Sequence, residues 1–110
     1  MIINTIAKIE KKIRKDSSMN DQNKIELLNL LAILKIEVAK FSEEQPESAE
    51  SMVGFIDRST HEVMRKEKNP ELLKTALDGL ASSVKDFEES HPMLVENVGY
   101  IANTLAKMGI

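Results

Sequence analysis

Apolar residues recur every three or four positions along most of this chain, and that period is the strongest constraint on its fold. The clearest stripe alternates spacings of four and three from Leu73 to Met108. Such a period places the residues on one face of an α-helix, whereas a strand needs alternation at every second position. No segment alternates in that way, so the sequence predicts an all-α fold, a small bundle of four to five helices with coiled-coil-like spacing.

Helix start and stop signals divide the chain into five segments. Asn20 or Asp21 can cap the second helix, because short polar side chains accept bonds from free backbone N–H groups. Ser42 begins a capping-box sequence for the third, and Asn69 precedes a proline suited to the first turn of the fourth. The third helix has the thinnest and most polar stripe, so we expect it to be the least buried. The predicted helices span 3–15, 22–41, 43–67, 70–89 and 92–108 within a single domain 1–110.

His91 and Pro92 interrupt the longest stripe without changing its phase. A residue before proline is pushed out of the helical region, so His91 is expected to lie outside a helix and Pro92 to open the fifth. Ser90 or His91 would cap that helix. The short linker favours a kink between the fourth and fifth helices over a hairpin, and the sequence leaves both arrangements open.

Glycines within predicted helices indicate close packing, because glycine costs about 1 kcal/mol relative to alanine in a helix interior. Gly99 belongs to a stripe of small residues on the fifth helix, and Gly79 to a similar stripe on the fourth. We expect a neighbouring helix to cross tightly at Gly99. Gly109 follows the last apolar turn, where a helix-terminating glycine belongs.

Composition excludes several classes of protein. The chain has 110 residues and no cysteine, which excludes disulfides, thiolate catalysis and cysteine-ligated metal sites. Its longest apolar run, Leu30 to Leu34, is far shorter than the ~20 residues that span a bilayer. No secretory signal is evident, so a cytoplasmic location is expected.

Candidate catalytic and metal-binding motifs are incomplete. His61 begins a sequence like the zinc-protease HExxH motif, but Arg65 stands where the second histidine is required. Asp57 and His61 have helical i,i+4 spacing, which would let both side chains bind one side of a metal ion. We favour the alternative that they form a polar pair in contact with solvent. Glu88 and His91 have the spacing of a di-metal bundle motif, which must occur twice. We therefore predict no catalytic residue, no metal site and no cofactor, and expect that the protein is not an enzyme.

The apolar surface of the second, fourth and fifth helices exceeds what a chain of this length covers by itself. We therefore expect a homodimer in which these helices pack in left-handed, coiled-coil-like fashion. Further apolar residues widen the surface of the second helix, namely Ile25, Leu28, Leu30, Ile33 and Ile36. The candidate interface residues are Leu27, Leu31, Leu34, Val38, Val98, Gly99, Ala102 and Leu105.

The first helix is basic on the side opposite its isoleucines. The net charge of -3 argues against a dedicated nucleic-acid binder, and a solvated helix face is the favoured interpretation. The leading hypothesis is a non-enzymatic module for protein interaction or assembly. The alternative is a small regulator or adaptor that contacts a membrane surface or nucleic acid through this helix. The basic residues are Lys8, Lys11, Lys12, Arg14 and Lys15.

A sequence signature occupies the C-terminal third. It joins a phenylalanine and an acidic residue to Ser-His-Pro and a later apolar residue, and it ends in the pattern I-A-x-x-L-A-x-x-G-I. Its residues here are Phe87, Glu88, Ser90, His91, Pro92, Leu94, Ile101, Ala102, Leu105, Ala106, Gly109 and Ile110. Over about residues 73–110 the chain resembles a family of small bacterial helical proteins defined by a domain of unknown function. The resemblance implies an all-helical fold and a bacterial cytoplasmic setting, and it implies no activity.

Overall fold

A computed structural model describes residues 2–109, and within them it confirms the all-α prediction. These residues form a bundle of five α-helices and one 3-10 turn. Ile110, the last residue of the sequence signature, lies outside the described residues. The elements are α1 (Ile2–Lys15), α2 (Asp21–Glu44), α3 (Pro46–Met64), α4 (Pro70–Val84), the 3-10 turn (Lys85–Phe87) and α5 (Pro92–Gly109).

The third helix is the centre of the bundle. It contacts each of the other four helices, and it carries buried residues along its whole length. The expectation that it would be the least buried is wrong. Its polar positions are compatible with the core because the hydroxyls of Ser59 and Thr60 donate to the carbonyl oxygens of Phe55 and Ile56, at 2.7 and 2.8 Å.

The candidate interface residues require a correction, because most of them form the core of a single copy. α1, α3 and α5 of the same chain cover the inner side of α2, and α2, α3 and α4 cover the inner side of α5. Gly99 is exposed and Ala102 is half-buried. The six residues that lie in the core, and so are closed to a second copy, are Leu27, Leu31, Leu34, Val38, Val98 and Leu105.

Helices α4 and α5 fold back on each other, so the preference for a kink is wrong. Gly109, at the end of α5, lies against Leu73, near the start of α4, so that a β-carbon added at Gly109 would collide with it. Two collinear helices would hold these residues far apart. Reversal is possible because α4 ends at Val84 rather than near residue 89, which leaves the 3-10 turn and residues 88–91 to form the connection.

Helix α2 continues beyond its predicted end at residue 41. Ser42 lies inside α2 and donates its hydroxyl hydrogen to the carbonyl oxygen of Ala39, at 3.0 Å, so it does not cap α3. Gln45 occupies the N-cap position without a side-chain bond, and Pro46 opens α3. The boundary lies here because Gln45, before a proline, is held out of the helical region.

Two of the predicted caps are confirmed. The side-chain oxygen of Asn20 accepts hydrogen bonds from the backbone N–H groups of Gln22 and Asn23, at 2.8 and 3.3 Å. The side-chain oxygen of Asn69 accepts one from the N–H group of Leu72, at 3.1 Å. Each bond satisfies a backbone donor that has no partner within its own helix.

The tight helix crossing lies at Gly79 rather than at Gly99. A β-carbon built at Gly99 would meet nothing within 4 Å, so the prediction for this residue is wrong. At Gly79 a β-carbon would collide with the ring of Phe55, which packs from α3 onto α4. The missing side chain at Gly79 is therefore the space that this aromatic ring occupies.

Candidate functional site

The outward side of α2 and the neighbouring side of α5 form one exposed apolar surface, here named the α2–α5 face. Its most exposed members are Ile36 and Met93, whose exposed fractions are 78% and 74%. Leu30 is half-buried in the groove between the helices. The large apolar residues of the face, with their exposed fractions, are Ile25 (60%), Ile33 (48%), Ile36 (78%), Met93 (74%) and Tyr100 (52%).

This face exists because α2 is apolar on two opposite sides. At 3.6 residues per turn, Ile25, Ile33 and Ile36 point away from the side that bears Leu31 and Leu34. The inner side is buried within the bundle, and no helix in residues 2–109 covers the outer side. A helix that is apolar on most sides belongs in the middle of a core or at an interface.

The α2–α5 face runs the length of the molecule. α2 has 24 residues, which corresponds to about 36 Å of helix, and the longest dimension of the protein is 37 Å. Monomeric proteins rarely expose contiguous apolar patches larger than a few hundred Å². The α2–α5 face is therefore the candidate contact site among the described residues.

Two carboxylates lie in the groove of this face. Glu37 has one side-chain oxygen, Oε1, that is buried and makes no hydrogen bond within residues 2–109. Burial raises the pKa of the Glu37 carboxyl, the nearby Asn97 side chain opposes the rise, and the negative charge of Glu96 adds to it. The Tyr100 hydroxyl donates to Glu96 Oε1 at 3.0 Å, and that bond, with the charge of Glu96, raises the pKa of Tyr100.

Charged residues flank the face on α2. Lys40 lies at one end of the groove, beside Ile36 and Met93, and it makes no ion pair within residues 2–109. Glu26 lies toward the other end, where its Oε1 accepts a hydrogen bond from the Thr104 hydroxyl at 3.1 Å. Its Oε2 is 3.8 Å from Lys107 Nζ. The face thus carries at one end a cation without an ion pair among the described residues, and at the other end an anion that Lys107 partly neutralises.

The predicted kink residues join the α4–α5 turn to the end of α2. The His91 ring packs edge-on against the rings of Phe41 and Phe87, at centroid distances of 5.0 and 6.4 Å. Its Nε2 lies 3.3 Å from Glu44 Oε2. The His91 carbonyl oxygen accepts the first helical bond of α5 from the Val95 N–H group, at 3.1 Å. Ser90 and Pro92 are both exposed, so these contacts favour a structural role centred on His91.

The basic residues of α1 form a separate surface. Ile6, Ile9 and Ile13 fix the opposite side of this helix in the core. One of these basic residues, Lys12, has its Nζ 3.3 Å from Asp57 Oδ1. Asp57, the predicted polar partner of His61, therefore faces α1 instead. The five basic residues Lys8, Lys11, Lys12, Arg14 and Lys15 are all exposed.

The sequence prediction located the apolar surface of α2 but placed the candidate interface residues of this helix on its inner side. The signal for the outer side was present in Ile25, Ile33 and Ile36, which widen the stripe beyond what a core helix requires. Nothing in the spacing distinguished Met93 or Tyr100 as exposed members of the same surface. Their role depends on α5 lying beside α2, which is a tertiary contact.

No helix between residues 2 and 109 combines the length and the apolar character needed to cross a membrane. The same part of the chain contains no group of three or more histidine, aspartate or glutamate side chains that could hold a metal ion.

Comparison with known proteins identifies the family. No curated protein and no solved structure matches the chain. A family model described as a domain of unknown function (DUF4404) matches residues 27–110, which include most of α2 and all of α3, α4 and α5. Most of the α2–α5 face lies in the matched region, whereas α1 lies outside it. The chain therefore belongs to the DUF4404 family, and its resemblance to a family of unknown function is confirmed.

Proposed function

We propose that this protein is a non-enzymatic assembly module that forms a homodimer through the α2–α5 face. The observation that carries the proposal is the group of five large apolar side chains on that face, each about half exposed or more. Burying such side chains against a partner is favourable by about 25 cal/mol for each Å² of apolar surface removed from water.

The dimensions of the face suit a second copy of the chain. A strip about 36 Å long and roughly 20 Å wide, the width of two neighbouring helices, has an area of about 700 Å². A standard stable interface buries about 800 Å² on each partner. Since a two-fold dimer uses the same patch on both copies, one apolar face of this size is sufficient.

The exposed residues of α2 also have the spacing of a helix–helix seam. Successive members are separated by four, three, four and three positions, as in the contact positions of a coiled coil. This is the spacing that a partner helix needs in order to pack along the whole of α2. The members of this outer seam are Ile25, Asn29, Ala32, Ile36 and Ala39, and all five are exposed.

Solution mass tests the proposal. Light scattering over a range of concentrations should give twice the monomer mass of 12.4 kDa, and the dimer should persist at high salt because apolar contacts hold it. Ile36→Lys and Met93→Lys should each give a monomer. Ile3→Lys and Leu72→Lys are matched controls, because both residues are 45% exposed but lie away from the face. A mass of one chain at every concentration would overturn the proposal.

A second candidate function uses the basic side of α1. Four of its cations, Lys8, Lys11, Arg14 and Lys15, are exposed and form no ion pair within the described residues. These features support a regulator or adaptor that contacts an anionic membrane surface. Vesicles containing anionic lipid should then bind the protein in low salt and release it in high salt, and Lys11→Glu with Arg14→Glu should abolish binding. Binding to duplex DNA but not to vesicles would instead assign the surface to nucleic acid.

A further inference from the structure

We infer that in this dimer the two copies of α2 run antiparallel, with Lys40 of each copy beside Glu26 of its partner. The inference rests on the proposed function, because it specifies how the α2–α5 face meets a second copy. It is carried by the order of charges along one edge of the outer seam.

One edge of α2, on the side that faces α5, carries Glu26, Ile33 and Lys40. Their spacing of seven residues is two helical turns, so they form a straight row with Ile33 midway. Glu26 and Lys40 are both exposed, and Ile33 is 48% exposed. The row therefore reads anion, apolar residue, cation along the edge.

A two-fold axis near Ile33 makes this row complementary to itself. Antiparallel helices related by such an axis bring the same edge of each helix together, in opposite directions. Ile33 then lies beside Ile33 of the second copy, and Lys40 lies beside Glu26 at both ends. An isologous contact repeats each pair of residues by symmetry. The Lys40–Glu26 ion pair therefore forms twice in the dimer.

The same axis aligns the full outer seam. The midpoint of α2, which spans residues 21–44, falls between Ala32 and Ile33. Antiparallel pairing about that point places Asn29 level with Ile36 of the other copy, and Ile25 within one residue of Ala39. The whole length of α2 is then paired, which the area of a stable interface requires.

A parallel arrangement has less favourable charges. In parallel coiled coils, residues on one edge of a helix meet residues five positions away on the opposite edge of its partner. That rule places Lys40 beside Lys35 of the second copy, twice over. Lys35 is already paired with Glu10 of its own copy, at 2.8 Å, so Lys40 gains no anionic partner there and the parallel arrangement lacks the two ion pairs of the antiparallel one.

Charge reversal provides the first test. Lys40→Glu and Glu26→Lys should each raise the dimer dissociation constant about tenfold, because each single change opposes two like-charged pairs. The double variant should restore the dissociation constant to within about threefold of the original. A matched control exchanges Lys74 and Asp78, an exposed ion pair on α4 with Nζ and Oδ2 3.2 Å apart, and it should leave dimerisation unchanged.

Cross-linking provides the second test, since the chain contains no natural cysteine. Ile25→Cys alone should not form a disulfide, because antiparallel pairing separates the two copies of residue 25 by about 22 Å. Ile25→Cys combined with Ala39→Cys should form disulfide-linked dimers under mild oxidation. Circular dichroism of each variant checks that the fold is intact.

The outcomes separate the two proposals. If Ile36→Lys abolishes the dimer but Ile25→Cys cross-links by itself, the face is correct and the antiparallel inference is overturned. If the single charge reversals have no effect, the Lys40–Glu26 contact is overturned in the same way. If the protein is a monomer throughout, the proposed function itself fails.

Discussion

The two sides of α2 carry the same kinds of side chain in opposite surroundings. The inner side bears Leu27, Leu31, Leu34, Val38 and Phe41, all fully buried. The outer side bears Ile25, Ile33 and Ile36, which are about half exposed or more. The difference does not come from residue type, because isoleucine and leucine bury equally readily. It comes from the placement of α1, α3 and α5 against only one side.

The two sides of α2 therefore have different roles under the proposed function. On the inner side, removing a side chain lowers the stability of one folded copy. On the outer side, in the proposed dimer, it would lower the affinity between copies. Substitutions on the two sides should therefore act on different measurable quantities.

The largest expected contrast is between Leu31→Ala and Ile36→Ala. Leu31→Ala should lower the free energy of unfolding by about 3 kcal/mol, because it leaves a cavity in a closely packed core. Ile36→Ala should change it by less than about 0.5 kcal/mol, because water already surrounds most of that side chain. Urea unfolding measures both, at a protein concentration low enough for the chain to be monomeric.

Concentration supplies the control for this pair. Raising the protein concentration should increase the free energy of unfolding of the unmodified protein, because mass action favours the dimer. The increase should be smaller for Ile36→Ala. Leu31→Ala should show the same increase with concentration as the unmodified protein. Equal losses of unfolding free energy for the two variants in dilute solution would show that both sides of α2 are core.

The glycines extend the comparison from α2 to the rest of the bundle. Gly79→Leu should lower the free energy of unfolding by about 2 kcal/mol, because the new side chain displaces the Phe55 ring from α4. Gly99→Leu should instead raise it by up to about 1 kcal/mol, since leucine favours the helix and meets open space. Thermal unfolding of both variants is the measurement. Destabilisation by Gly99→Leu in dilute solution would restore the tight crossing that the sequence predicted there.

The elements that the sequence predicts well are those set by local chemistry. The 3.6-residue period fixes the helices, Asn20 and Asn69 fix two of their beginnings, and Pro92 fixes a third. Each depends on residues within one turn of the position in question. The same locality explains why the α4–α5 connection was misread, because the apolar phase continues through His91 whether the helices bend slightly or reverse.

The features that escaped prediction depend on neighbours distant in the sequence. Gly79 and Gly99 both belong to stripes of small residues, and only the position of the Phe55 ring distinguishes them. The thin stripe of α3 suggested exposure, whereas the hydroxyls of Ser59 and Thr60 bond within the helix and enter the core. For the same reason, the α2–α5 face was detected as excess apolar surface but could not be assigned to its correct side.

The smallest expected effect tests the boundary between the two sides of α2, where Glu37 lies. Burial raises the pKa of this carboxyl, Asn97 lowers it in part, and the charge of Glu96 raises it further. Because the folded pKa is above the unfolded one, the folded chain holds the proton more tightly, and ionised Glu37 opposes folding. That cost is absent below the unfolded pKa, grows as pH rises between the two values, and is fully present above the folded pKa.

Replacing Glu37 by glutamine should therefore stabilise the monomer at neutral pH and have no such benefit in strong acid. The gain should be less than about 1 kcal/mol, because solvent screens a half-buried carboxylate. Urea unfolding in dilute solution from acid to neutral pH measures it. Glu43→Gln, an exposed change of equal charge on the same helix, is the control. The contrary outcome is that Glu37→Gln stabilises the chain equally at every pH. The shape of the Glu37 side chain, and not its charge, would then oppose folding.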